Sequence, residues 1–197
     1  MSRFTLLTVL LCLACCGISS LALRAEEAKA DGNAVELFNG KDLTGWCYKT
    51  GDTVKKFDGQ TETDDKQFSA KDGVIVVNDQ AGKAALWTTA EFNHDFELRF
   101  DFRAAFKADS GVFLRKPQLQ VRDYPTAGPY KDLKKYKPQD WNEMIVVVKG
   151  ETVTATCNGE ELKSDRVKLK VPPTGGIGLE ADRGVMEYRN LRVTELK

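Results

Sequence analysis

The chain has 197 residues, with 29 basic and 29 acidic side chains and one histidine, so its formal net charge is zero. That balance argues against nucleic acid or an anionic membrane as the main partner, because both select clustered Lys and Arg. One histidine is too few for a His-based zinc site.

In chain order, residues 1–22 carry a single cation, Arg3, then an apolar run over 4–16 and the small-x-small sequence Ser20-Leu21-Ala22. This pattern predicts a cleaved secretory signal rather than a membrane span, because the apolar run is short and nothing like a stop-transfer follows. The expected organisation is a signal peptide at 1–22, a flexible leader at 23–34 and one domain at 35–197. The protein is expected to be exported, to the periplasm or beyond the cell, with no integral membrane segment after cleavage. Leu13-Ala14-Cys15-Cys16 leaves lipoprotein processing as a lesser option. A mature chain of about 175 residues suits one domain that buries roughly 70% of its unfolded surface. Cys12, Cys15 and Cys16 leave with the signal, and Cys47 and Cys157 remain. Their pairing would contribute about 4–5 kcal/mol in the loop-entropy model; the preferred expectation is two separate buried thiols.

Structure should begin at residues 35–38, with a turn at Asn39-Gly40 and a second strand following Leu43-Thr44-Gly45-Trp46. Residues 50–65 are polar with two glycines and are expected to form a loop. Asp72-Gly73 is a tight-turn dipeptide between strands at 67–70 and 74–77, and a short strand follows at 84–88. The stretch from residue 95 then alternates Phe96, Leu98, Phe100, Phe102, Ala104 and Phe106 with Glu97, Arg99, Asp101, Arg103 and Ala105. Successive strand side chains point to opposite faces, so this strand has one apolar and one charged face. A strand of this length, about twice the usual, needs a broad sheet and a second layer over its Phe face. Further strands are expected at 110–115 and 118–124. Residues 125–140 form a Pro- and Lys-rich loop without apolar periodicity, a kind that is often functional or mobile. A hairpin follows at 143–149 and 151–157, then Asn158-Gly159 and strands at 160–163, 175–181 and 185–195. No helix of three turns is evident. The fold class is all-β, an antiparallel β-sandwich of the jelly-roll kind.

The segments LFNGKDLTGW (37–46), DGVIVV (72–77), LWTTAEFNHDFELRFDFR (86–103), SGVFLR (110–115), LQVRD (119–123), WNEMIVVVKG (141–150), CNGEEL (157–162), GGIGLE (175–180) and YRNLRV (188–193) fall in order along the chain. Together they resemble the secreted family described as 3-keto-disaccharide hydrolase, or 3-keto-glucoside 1,2-lyase and 3-keto-2-hydroxy-glucal hydratase, over about residues 35–196. The resemblance implies a concanavalin A-like double-sheet jelly roll, an envelope or exported location, and a glycoside or oligosaccharide as partner. In a 3-keto sugar the carbonyl acidifies the proton on C2. A base can remove that proton, a cation or hydrogen-bond donor can stabilise the enolate, and an acid can assist departure from C1.

Strand parity supplies candidates for those roles. The catalytic set is Glu180, Asp182, Arg103 and Arg115; the substrate-binding set is Asp101, Gln118, Gln120, Arg122 and Trp141. All but Trp141 are expected on one polar face, the alternative being an ordinary solvated surface. Trp141 closes the Lys-rich loop and has the best claim to stack on a sugar, whereas Trp46 and Trp87 are expected in core or sheet-edge packing. His94 is expected in an exposed loop, and Ser110 lacks a neighbouring His for a triad. No metal ligand set or cofactor is predicted, although structural calcium held by loop carboxylates and carbonyls stays open.

Two positions depart from the pattern that the resemblance implies. The family has an acid where this chain has Gln118, and its Leu-Gln-x-His-Gly appears here as Leu179-Glu180-Ala181-Asp182-Arg183. Gln cannot act as a base, and Asp differs from His in charge and pKa. The expected function is therefore a lyase or hydrolase acting on 3-keto-glycosides. The alternatives are a glycan-binding module without catalysis, and glycoside hydrolysis by carboxylates about 5 or 6.5–9.5 Å apart.

Overall fold

The computed structural model describes residues 34–78, 84–126, 130–163 and 169–197. The expected signal peptide, with its three cysteines, and the leader through residue 33 lie outside the described residues. In chain order the strands are β1 (Ala34–Glu36), β2 (Trp46–Thr50), β3 (Thr53–Lys56), β4 (Phe68–Lys71), β5 (Val74–Val77), β6 (Ala84–Thr88) and β7 (Phe96–Ala104), continuing with β8 (Asp109–Leu114), β9 (Gln118–Arg122), β10 (Asn142–Lys149), β11 (Thr152–Cys157), β12 (Glu160–Glu161), β13 (Ile177–Ala181) and β14 (Met186–Glu195).

Two antiparallel sheets form a concanavalin A-like jelly-roll sandwich. The first runs β12-β11-β10-β7-β14-β5-β4, with β1 also on β14, and the second runs β3-β2-β6-β13-β8-β9. The ten-residue β14 serves β5 with Met186–Tyr188 and β1 with Arg192–Thr194. An irregularity between Arg189 and Arg192, with Asn190 at φ 54°, separates the two pairings.

The alternation holds over β7 but not beyond it: Phe106, expected on the apolar face, lies past the end of the strand and is exposed. Phe96, Leu98, Phe100, Phe102 and Ala104 are buried, and the four charged residues between them are half-buried. Each large apolar side chain so buried contributes at most about 1.5–3 kcal/mol, since the unfolded chain is itself partly compact. Facing them from the second sheet are Leu86, Val112, Leu114, Leu119, Val121, Ile177 and Leu179. After Ala104 the chain turns through Lys107, at φ 61°, and crosses from the first sheet to the second as β8.

Two loop expectations are corrected. Residues 50–65 contain β3, paired with β2 from Cys47↔Lys56 to Thr50↔Thr53. All four β3 side chains are exposed, so backbone pairing, with a Lys55–Asp64 ion pair, holds this Lys-bearing edge strand and no burial pattern marks it. The loop at 125–140 is anchored rather than free over its described part. Tyr130 and Tyr136 are buried against Tyr124, with ring centroids 5.4 and 5.2 Å away, and Tyr136 stacks on Phe102.

Cys47 on β2 and Cys157 on β11 are buried free thiols in different sheets. Burial pushes both thiols up, Cys157 to about 12. No helix among the described residues is long and apolar enough to cross a membrane.

Candidate functional site

The outer face of the second sheet gathers most of the polar candidates. Cα partners run Cys47, Trp87, Gly178, Phe113, Gln118 across β2, β6, β13, β8 and β9. The neighbouring row pairs Ala85 with Glu180 and Gly111 with Gln120, and the next pairs Asp109 with Arg122. Trp87, Phe113, Gln120 and Glu180 are each half-buried between buried neighbours, and half-buried Gln118 precedes buried Leu119, so all five project outward.

The aromatic pair is the centre of this face. Trp87 and Phe113 stack with centroids 5.0 Å apart and planes 25° from parallel, directly over Gly178. A Cβ at residue 178 would lie 3.0 Å from the Trp87 ring and 3.2 Å from Phe113, so only glycine lets both rings settle on the strand between them. The Lys49 ammonium sits 5.9 Å from the Trp87 ring centroid and 3.5 Å from Glu91.

Beside the platform, Gln118 crosses Gly111 and donates its amide N–H to a Glu180 carboxylate oxygen. A buried chain holds Glu180 from beneath. The Ser110 hydroxyl donates to the Glu180 carbonyl at 2.7 Å and contacts the Tyr188 hydroxyl at 3.0 Å. Tyr188 is fully enclosed, and burial raises its phenol well above the ordinary value. Farther along, Asp109 accepts from Gln120 at 2.6 Å and pairs with Arg122 at 3.1 Å and Arg183 at 3.6 Å. Asp182 is half-buried just beyond the end of β13. The result is a stacking surface with a carboxylate, an amide and a cation beside it, a set suited to one sugar ring and its hydroxyls.

The remaining candidates do not join this face. Asp101 and Arg103 point outward from the first sheet, on the opposite side of the sandwich. Asp101 accepts from Arg189 at 3.1 Å and Asn190 at 2.8 Å, and Arg103 is bound to Glu187 through both carboxylate oxygens. That hydrogen bonding raises the Arg103 guanidinium above its ordinary value. Trp141 is on the same side, with the Arg189 guanidinium 3.9 Å and that of Arg103 4.9 Å from its ring centroid. The expectation of one shared face is therefore corrected. Parity within a strand separates inside from outside, but two sheets of a sandwich have two outsides.

Arg115 leaves the face for another reason. β8 ends at Leu114 and Arg115 takes φ 63°, which turns its side chain toward the end of the sandwich. There it donates to the Pro172 carbonyl at 2.8 Å and the His94 carbonyl at 2.6 Å. His94 is partly exposed, 3.3 Å from Asn93 and 3.9 Å from Glu195. Trp46 is buried as expected, its indole N–H donating to the Leu37 carbonyl at 2.8 Å. Trp87, expected in core or sheet-edge packing, instead projects from the outer face, and Phe113, not weighed as a site residue, stacks on it there. The signal was present, since Trp87 lies between inward Leu86 and Thr88, and Phe113 between inward Val112 and Leu114.

Comparison with known families decides the relationship. The model of the 3-keto-alpha-glucoside-1,2-lyase-like domain matches residues 33–194. The chain belongs to this family. Among solved structures, the 3-keto-alpha-glucoside-1,2-lyase-like chain is similar to a protein of Parabacteroides distasonis provisionally described as a glycosyl hydrolase. Identity is 19% and the TM-score 0.64, over 84% of this chain and 94% of that one. A second protein of that organism, with the same provisional description, gives 20% identity and a TM-score of 0.55 over 68% and 93% of the two chains. The exoplasmic/lumenal domain of VIP36, solved with Ca2+ and Man3GlcNAc bound, is 10% identical with a TM-score of 0.50, over 84% and 89%. At these identities the structures support the sandwich fold alone. Among curated protein sequences none matches the chain. The family membership places this domain among carbohydrate-active, 3-keto-alpha-glucoside-1,2-lyase-like domains. Among the described residues no group of three or more His, Cys, Asp or Glu is arranged to hold a metal ion.

Proposed function

We propose that this protein is exported and cleaves 3-keto-glycosides on the outer face of its second sheet, with Glu180 as the base. The sugar ring lies on Trp87 and Phe113. Glu180 takes the proton from C2, the electron pair left behind is delocalised onto the C3 oxygen, and the bond from C1 to the departing oxygen breaks as that oxygen takes a proton from a water molecule. The hydroxide so formed then adds at C1 of the resulting glucal, and the protonated Glu180 returns its proton to C2. Lys49, beside the aromatic platform, is the cation placed to balance the charge that develops on the C3 oxygen.

One observation carries this reading: the Gln118 amide donates directly to the Glu180 carboxylate. The family resemblance has an acid at the position of Gln118 and an amide at that of Glu180. In this chain the two side chains are exchanged yet touch, so the carboxylate stays within one hydrogen bond of the same place. Asp182, in the position of the family's His, is not needed for the step written above.

The test is exchange of the two side chains in the full protein with a 3-keto-glucoside as substrate. Glu180→Gln should lower kcat by about 10²–10⁴, the range for a lost general base, while binding persists. Adding Gln118→Glu to that variant should restore a substantial part of the loss. Full activity in Glu180→Gln would remove Glu180 from the mechanism. A second reading, glycan binding without turnover, is favoured by the amide that already occupies one Glu180 oxygen. It predicts saturable sugar binding and no product with the unaltered protein.

A further inference from the structure

At the end of the sandwich, away from the Trp87 platform, Arg115 is folded back against the core. Its guanidinium lies 5.3 Å from the Phe96 ring centroid, and the residue is 8% exposed. Gly175 packs against its backbone so closely that a Cβ there would come within 2.8 Å. Gly175 thus holds the Arg115 backbone, and hydrogen bonds to two carbonyls hold its guanidinium.

The partners of this guanidinium are all neutral. Two of its nitrogens donate to the carbonyls of Pro172 and His94, and Nε is buried without a hydrogen-bond partner. No carboxylate among the described residues forms an ion pair with it. The three acids nearby are engaged elsewhere. Asp95 accepts from the Gly150 N–H at 2.7 Å, Glu151 pairs with Lys170 at 3.2 Å, and Glu195 faces His94 at 3.9 Å. Arginine stays charged in proteins, so it cannot escape desolvation by giving up its proton as lysine can. Desolvation does pull the Arg115 guanidinium below its ordinary value, with Asp95 opposing that effect from a distance. Buried charges are as a rule paired, and an unpaired one is among the costlier arrangements a fold can carry.

A cavity of about 280 Å³ opens beside this charge, lined by Asn93, His94, Arg115, Val171 and Pro173 with Asp95, Gly150 and Glu151 at its walls. That is close to the lower end of ligand pockets. Apolar Pro173, which is exposed, offers a surface for ring carbons, and the exposed Asn93 offers an amide for hydroxyls.

We propose that this cavity is an anion-selective subsite, separate from the platform, which takes the carboxylate or sulfate of an acidic sugar as the missing counter-ion of Arg115. The inference stands independently of the chemistry assigned to Glu180. Acidic sugar and free inorganic anion share the recognising chemistry, so both are probes.

The experiment is calorimetric titration of the full protein with glucuronate, glucose and inorganic sulfate at low salt. Glucuronate should bind at least 10-fold more tightly than glucose, weaken as salt rises, and lose its advantage in Arg115→Met. That variant replaces the guanidinium by an apolar chain, and its melting temperature should stay level or rise because an unpaired charge is removed. Should it fail to fold, Asn93→Trp fills the cavity mouth from an exposed position. It should block glucuronate while leaving 3-keto-glucoside turnover unchanged. Sulfate binding as tightly as glucuronate would support the anion site and assign it to free anions rather than sugars. Equal responses to glucuronate and glucose, or glucuronate affinity retained in both variants, would overturn the proposal. Absence of 3-keto-glucoside turnover in the unaltered protein, with glucuronate binding intact, would count against the Glu180 chemistry alone.

Discussion

Gly178→Ala probes the aromatic platform without touching either ring. The new methyl would sit 3.0 Å from Trp87 and 3.2 Å from Phe113, inside ordinary van der Waals contact. Overpacking of this kind costs about 1–3 kcal/mol. The lower half of that range applies, because both rings are half-exposed and can lift toward solvent. Lifting them apart also gives up part of the stacking, worth about 0.5–1.5 kcal/mol. Opposing this, Gly→Ala at an unstrained φ stabilises by about 0.4–1 kcal/mol through the unfolded chain. The net expectation is a loss of about 1 kcal/mol, or roughly 2–4 °C in Tm for a chain this size. A change in the near-ultraviolet circular dichroism of the aromatic rings and weaker sugar binding should accompany it. Urea unfolding, circular dichroism and a sugar titration on the same preparation would check all three. A variant more stable by 0.4–1 kcal/mol, with unchanged sugar affinity, would show that the rings do not close over residue 178.

Arg103→Ala should leave turnover within about twofold. It should lower stability by no more than about 1 kcal/mol, a difference that shrinks at high salt, as for exposed ion pairs. Melting in the presence and absence of reductant should give the same Tm, because the two thiols are free and buried in different sheets. A thiol reagent at pH 8 should label neither in the native protein and both after denaturation. Burial raises the folded pKa of Cys157 from 9.0 to about 12. Its contribution is therefore present below the unfolded value and lost as pH rises through about 9 to 12. Cys157→Ala should flatten that alkaline loss in a pH series of unfolding curves.

The sandwich was legible because burial writes itself into alternation. Strand β7 could be read residue by residue, and the hairpins at Asp72-Gly73, Gly150 and Asn158-Gly159 announced their turns. β3 was not legible, since all four of its side chains are exposed and only backbone pairing defines it. The loop at 125–140 concealed its anchors because Tyr124, Tyr130 and Tyr136 have no strand or helix spacing yet meet in three dimensions. The site was half legible. Gln118, Gln120, Arg122 and Glu180 do share a face, but parity could not tell which of two outward faces a strand displays. That ambiguity brought in Asp101 and Arg103; Trp141 came in separately, as the aromatic closing the Lys-rich loop, and its ring is covered by two guanidinium groups. Arg115 escaped parity because a single positive φ ends the strand just before it.

The account places the sugar on Trp87 rather than on Trp141, and parallel titrations of Trp87→Ala and Trp141→Ala with a 3-keto-glucoside test that claim most directly. Trp87→Ala should lose about 2 kcal/mol or more of binding, as expected for a truncated aromatic anchor, which is roughly 30-fold in Kd. Trp141→Ala should bind within about twofold of the unaltered protein. Normal affinity in Trp87→Ala together with a large loss in Trp141→Ala would contradict the assignment and move the site to the opposite sheet.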